Sequence, residues 1–303
     1  MGDGLETSNP TVGDMHQWNV WHSTQEKHQI FDTLGGRFHS QFGTEAFPHI
    51  DTISSHMLDF HNQADGHKRR IATYLVENFR TQTDLEAFIH LTQLSQAEAL
   101  MFGYRGWRRQ WGQQQVCGGA LVWQLNDCWP PAYYAMRRVL APVAVAVKRA
   151  HHDWSVVHAR VLTISEYEVW VASSSQPTEV AATVELRFSS RQGSGSTGTV
   201  RWSRDVDWPQ PLEYLSFEDR GVEVQPSGKT IVVSARKPKG LVFEERSGLF
   251  VHDSAIDVVP GDEQARREAG IAHENGLQRG GGAWDEAGVL LDGRRTGGGC
   301  AAC

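Results

Sequence analysis

Apolar residues recur at two different periods along the chain, and the period changes near residue 150. From Asp84 onward, Leu85, Phe88, Ile89, Leu91, Leu94 and Leu100 recur at helical spacing. Asp84 is placed to cap that helix, and Gly103 is its expected stop. A shorter helical segment spans His67 to Phe79, and Asp51 can cap another whose Ile53, Met57 and Phe60 share one face. The run Gly118-Gly119-Ala120-Leu121-Val122-Trp123-Gln124-Leu125 is short, apolar and bounded by glycines. Such a run reads as a strand buried on both faces, as in a parallel sheet. Met15 to Trp21 and Gly36 to Gly43 read as further strands. Strands separated by helices predict an α/β region over residues 1–150.

Beyond that point the period is two. Glu168 to Ala172, Thr183 to Phe188, Thr230 to Ser234 and Leu241 to Phe243 alternate as half-buried strands do. Turn residues at Gly193 to Gly198 and Pro226-Ser227-Gly228 separate them. An all-β, immunoglobulin-like sandwich is expected over 151–263, incomplete at its end. Residues 264–303 read as a disordered tail, because 270–299 hold ten of the thirty glycines and few apolar residues.

Composition narrows the function classes. No run of about 18 apolar residues exists, so no membrane helix is expected. The 303 residues carry 29 Lys and Arg against 36 Asp and Glu, a net charge of −7, which disfavours nucleic acid as a partner. The first twelve residues lack an apolar signal-peptide core, and no Asn-x-Ser/Thr sequon occurs outside Asn9-Pro10-Thr11, where the proline disqualifies it. With isolated Cys117 and Cys128, these features point to a cytoplasmic setting.

Some short motifs are set aside. Gly193-Ser194-Gly195-Ser196-Thr197-Gly198 has the letters of a dinucleotide fingerprint but leads into a strand-like stretch, not a helix. His56, His61 and His67 lack the paired cysteines of a zinc site, so no metal and no organic cofactor is expected. Arg105-Gly106-Trp107-Arg108-Arg109-Gln110-Trp111 mixes cations and aromatics as nucleic-acid sites do, yet cations near a helix C-terminus account for it.

One constellation carries chemistry. Trp123-Gln124-Leu125-Asn126-Asp127-Cys128-Trp129-Pro130 closes the most apolar strand. Asn126 and Asp127 can hydrogen-bond sugar hydroxyls, while Trp123 and Trp129 offer flat faces to pyranose C–H groups. An Asx-turn with a packed tryptophan fits the same residues. The stretch from Gly13 to His22, with His16, Trp18 and Trp21, is again aromatic and polar at a strand end. Together with Gly36-Arg37-Phe38-His39-Ser40-Gln41-Phe42-Gly43-Thr44-Glu45-Ala46-Phe47-Pro48, these stretches resemble the β-mannosidases of glycoside hydrolase family 2, particularly the fungal intracellular type. The likeness covers about residues 12–263 and includes Met57 to Asn62, Arg70 to Phe79 and Asp205 to Pro211.

The resemblance implies a retaining exo-glycosidase that removes terminal β-D-mannose, with β-linked manno-oligosaccharides as partners. It implies the last three strands of a (β/α)8 barrel, with His16, Trp18, Trp21, Trp123, Asn126, Asp127 and Trp129 lining the sugar site. Two carboxyl groups about 5–5.5 Å apart perform that chemistry. Here the pattern is broken. The family nucleophile is the Glu of Ser-Glu-Phe-Gly, and this chain has Ser40-Gln41-Phe42-Gly43. Glu45 matches a different family position and would reach the site only if its loop rearranged. The acid/base Glu lies on a barrel strand upstream of anything in this sequence. A family segment on the order of 15–20 residues, several helical turns at ~1.5 Å per residue, is missing after Pro130. Hydrolysis is therefore expected to be lost. The alternatives are a mannoside-binding module without catalysis, or a product with no independent function.

Overall fold

The computed structural model describes residues 13–50, 53, 65–111, 117–125, 130–149, 167–174, 184, 203, 205–207, 222–227, 230–235, 239–243, 249–251, 253–258, 264–271 and 289–290. The chain divides into two compact units, 1–181 with 202–215, and 182–201 with 216–303.

The first unit contains a parallel sheet in the order β1 (Met15–Gln17), β2 (His39–Phe42), β3 (Ala120–Val122). A 3-10 helix at His28–Thr33 joins β1 to β2. Helices α1 (His67–Asn78) and α2 (Leu85–Trp111) separate β2 from β3. The Asp84 carboxylate accepts the Ala87 amide at 2.9 Å, so α2 starts where the sequence places it. It does not stop at Gly103, which the sequence reading made its end. Gly103 lies mid-helix because a Cβ there would meet Phe42 Cε2 at 2.8 Å and Trp107 Cζ3 at 3.2 Å. Gly106, three residues on, faces Asp32 so closely that a Cβ would lie 2.3 Å from the Asp32 Cβ. The two glycines flatten one side of α2, and β2 and the 3-10 helix press into it.

Aromatic rings fill that contact. Trp107 stacks on His39 with centroids 3.9 Å apart and meets Phe42 (4.7 Å) and Phe31 (5.4 Å) edge-on. Phe42 also packs edge-on against Tyr104 and Phe31. Phe31, His39 and Phe42 are fully buried. Truncating such a phenylalanine to Ala typically costs about 3–5 kcal/mol.

The same C-terminal stretch of α2 is also tied down by charge. Arg105 pairs with Asp205 at 2.6 Å, and Asp205 also accepts the Val147 amide. Arg109 pairs with Glu168 and lies over the Trp170 ring. Lys148 reaches Asp32 at 2.5 Å. The mixed basic and aromatic stretch from Arg105 to Trp111 is thus mostly spent on internal packing. β4 (Val143–Arg149) and β5 (Tyr167–Ser173) form an antiparallel pair along their full length. β5 was expected to open the sandwich, but its partner lies in the α/β unit and carries it there. α3 (Pro130–Val139) begins directly at Pro130.

In the second unit, β6 (Val222–Ser227), β7 (Thr230–Ala235), β11 (Gln264–Ile271) and β9 (Leu249–Val251) form one sheet in that order. β10 (Ile256–Val258), β8 (Lys239–Phe243) and β12 (Val289–Leu290) form another. Ile231, Val233 and Ala235 of β7 pack with Ile256 and Val258 of β10, with Val222, Val224 and Phe243 around them. Two antiparallel sheets sharing one apolar cluster make a sandwich.

Two further expectations change. Residues 264–271 were assigned to a disordered tail, yet they form β11, hydrogen-bonded to β7 and β9. Backbone pairing supplies what its side-chain composition hides. β3 was read as buried on both faces, but Leu121 is 54% exposed because β3 lies at the edge of its sheet. The expected strand at Thr183 to Phe188 and the helix at Asp51 to Phe60 lie almost wholly outside the described residues.

The packing of α2 gives a direct test. Gly→Ala inside an exposed helix stabilises by about 1 kcal/mol. Gly103→Ala is expected to do the reverse and lower stability by about 1–3 kcal/mol through overpacking against Phe42. A fall in the urea midpoint with an unchanged m-value is the expected reading.

Candidate functional site

The candidate site lies where β1, β2 and β3 end. β2 reaches that end through an irregularity that the sequence pattern conceals. His39 is level with Met15 while Gln41 is level with His16, and His39 to Phe42 spans only Ala120 to Val122. β2 therefore carries one extra residue against both neighbours, at Ser40-Gln41. This is a β-bulge, a device that re-aims side chains and is common beside active sites. It lets His39 and Phe42 both face α2, although three positions apart they would oppose each other in a regular strand.

Gln41 and His16 are register partners and both are half-buried. Just after Gln41, Gly43 brings β2 against β3. A Cβ at Gly43 would lie 2.5 Å from the Trp123 carbonyl oxygen, so only glycine fits. The Trp123 amide donates to the Phe42 carbonyl at 2.8 Å, which holds the two strand ends together. Gln41 and Trp123 therefore flank one backbone junction. Trp123 is 55% exposed, its ring free for an apolar partner.

The other tryptophans differ. Trp18 is half-buried and meets His22 edge-on at 4.9 Å. Trp21 is 2% exposed, stacked on Tyr74 at 5.4 Å with the Arg70 guanidinium 5.5 Å from its ring centre. Its ring is therefore buried and not open as the sugar platform read from the sequence. Its indole N–H instead donates to Glu45 Oε1 at 3.2 Å. Asn126, Asp127 and Trp129 lie outside the described residues.

Electrostatics show where protons are unwelcome. His22 is shifted down by burial and by the Arg70 charge, with Glu45 opposing. Asp14, before β1, is shifted down chiefly by the Ser40 hydroxyl, which favours its ionised form. Behind the sheet, burial pushes His39 and His90 down to about 4. Burial, aided by Arg105, pushes His28 down to about 3. These three imidazoles are neutral packing groups. Among the described residues no cluster of His, Cys, Asp or Glu could hold a metal ion. No described helix is long and apolar enough to cross a membrane.

The bulge at Ser40-Gln41, the Glu45–Trp21 bond and the burial of Trp21 were not read from the sequence. Gly43 was quoted only as part of a motif. The spacing of His39 and Phe42, both facing the core three positions apart, is the one sequence signal for the bulge.

No family model matches the chain. A protein named beta-mannosidase B from Aspergillus clavatus is 53% identical over 337 positions, covering 87% of this chain and 40% of its own length. A protein of the same name from Aspergillus niger is 51% identical, covering 91% of this chain and 42% of itself. The chain thus spans about 40% of the length of the curated relatives it matches. The 337-position alignment is longer than the whole 303-residue chain, although it takes in only 87% of it. The relatives therefore carry residues inside the matched span that this chain lacks. The crystal structure of a beta-D-mannosidase from Dictyoglomus thermophilum shares the fold over 88% of the chain and 39% of its own, with TM-score 0.59 and 19% identity. The resemblance to β-mannosidases holds in sequence and in fold.

The buried histidines set a pH dependence. Their folded pKa values lie below the unfolded value of 6.5. The unfolded chain then binds more protons between pH 6.5 and about 4, so stability is complete above that window and falls as pH drops through it. Urea unfolding at pH 7 and pH 5 should show a clear loss at pH 5; equal midpoints would contradict the buried, neutral assignment.

Proposed function

We propose that this chain is a β-mannosidase-like glycoside hydrolase scaffold in which hydrolysis is lost. The proposal rests on the family-2 reaction, retaining hydrolysis of terminal non-reducing β-D-mannose, and on the residue at position 41. On this reading β1, β2 and β3 correspond to the last three strands of a (β/α)8 barrel spanning 1–150. The sandwich whose described strands run from Val222 to Leu290 follows as a second domain. Function in such barrels sits at the C-terminal ends of the strands, where Gln41 closes β2.

The single observation that carries the proposal is Gln41, on the bulge and level with His16. In the retaining reaction a carboxylate attacks the anomeric carbon and also faces the positive charge of the oxocarbenium-like transition state. An amide has nearly the same shape but carries no charge and is a very poor nucleophile toward carbon. Glu45 lies four residues on, where its Oε1 accepts the Trp21 indole at 3.2 Å. With an amide at position 41 the nucleophilic step fails.

Sugar binding without hydrolysis is the second reading. The observation that favours it is the exposed Trp123 ring beside Gln41 and half-buried Trp18. Gln41 can still donate to and accept from a sugar hydroxyl.

Steady-state assay on an aryl β-mannoside tests the first reading. The expected result is no turnover above a buffer control for the 303-residue chain as it stands. Turnover at ordinary glycosidase rates, roughly 1–1,000 per second, would overturn it. Titration calorimetry of the same protein with mannobiose decides the second reading: saturable heat supports it, and none at millimolar sugar ends it.

A further inference from the structure

The first turn of α1 runs against the helix dipole. It reads His67-Lys68-Arg69-Arg70, contains no acidic residue and has no side-chain cap. Negative charge, not positive, is favoured at that end, where the first amides have no partner within the helix. The N-cap residue is Gly66, in the left-handed region at φ 73°.

Two guanidinium groups return to this point. A Cβ on Gly66 would lie 3.5 Å from Arg70 Nη1 and 4.0 Å from Arg69 Nη2. Arg69 is exposed, but Arg70 is only 6% exposed, and its Nε and Nη2 find no hydrogen-bond partner. A buried guanidinium with unmet donors is costly unless an anion meets it. The described surroundings set the Trp21 ring 5.5 Å from the guanidinium carbon. Glu45 gives Oε1 to the Trp21 indole, and no described ion pair includes Arg70.

We propose that the N-terminus of α1, with Arg69 and Arg70, binds a phosphate oxyanion, either free or as a monoester. Several donors lie there: the backbone amides of the first turn and one Nη of each guanidinium. A tetrahedral dianion accepts from all of them at once, whereas a carboxylate has fewer oxygens and less charge to offer. The glycine at the N-cap adds no side chain of its own there. This site stands apart from mannoside hydrolysis and does not depend on it.

The test is isothermal titration of the full 303-residue chain with inorganic phosphate in chloride buffer at constant ionic strength. Saturable one-to-one binding is expected, weakened about tenfold or more in Arg70→Gln and in Arg69→Gln. Arg69 is exposed, so Arg69→Gln decides the matter if loss of the Trp21 contact unfolds the Arg70 variant. Mannose 6-phosphate and mannose run beside it identify the source. Tighter binding of the ester than of phosphate assigns a phosphomonoester, and equal binding assigns the free anion. Absence of saturable heat, or heat unchanged in the arginine variants, overturns the proposal.

Discussion

The α/β unit depends on the close approach of α2 to β2. Gly103 and Gly106 remove two Cβ atoms from one side of the helix, and Phe42 and Asp32 occupy the space released. Stacked and edge-on rings of His39, Phe31, Phe42, Tyr104 and Trp107 then lock the strand to the helix. Because His39 and Phe42 must both point at that helix, β2 takes an extra residue between them. Gln41 is displaced by that extra residue, and Gly43 seals the position against the Trp123 carbonyl. The geometry of the candidate site is a consequence of core packing behind it.

The same stretch of the helix is also anchored by buried charge. Arg105 and Asp205 are both largely withdrawn from water, and the same Asp205 Oδ2 also accepts a β4 amide. Removing one member of such a pair is typically far more damaging than replacing both, because the survivor is left buried and unpaired. Lys148 and Asp32 repeat the arrangement beside Gly106. These pairs join α2, β4 and the 3-10 helix, which is why residues 203–207 belong with the α/β unit despite their distance in sequence.

Long periodic elements were legible from the chain alone. The start of α2 at Asp84, helix α1 and the core face of β7 follow directly from spacing and capping. The errors have physical causes. Gly103 looks like a helix stop because propensity is local, while its reason for being glycine is a ring from another element. β3 looks like a central strand because its composition is apolar, while its edge position is a matter of topology. β11 looks like tail because glycine and charge mask a strand whose pairing is made by backbone. Trp21 looks like a sugar platform because aromatic content does not reveal which rings are already stacked. The replacement at Gln41 was legible because it is one letter in a long matched motif, and chemistry alone gives it meaning.

The functional account reduces to a distinction between an amide and a carboxylate in the same place. Both fit the bulge, and both can bind a hydroxyl, but only the carboxylate can form and stabilise a glycosyl-enzyme. Intact-mass spectrometry of the chain after incubation with an activated β-mannoside that accumulates the covalent intermediate measures that difference most directly. The account requires an unchanged mass; a protein heavier by one mannosyl group, on any side chain, would contradict it.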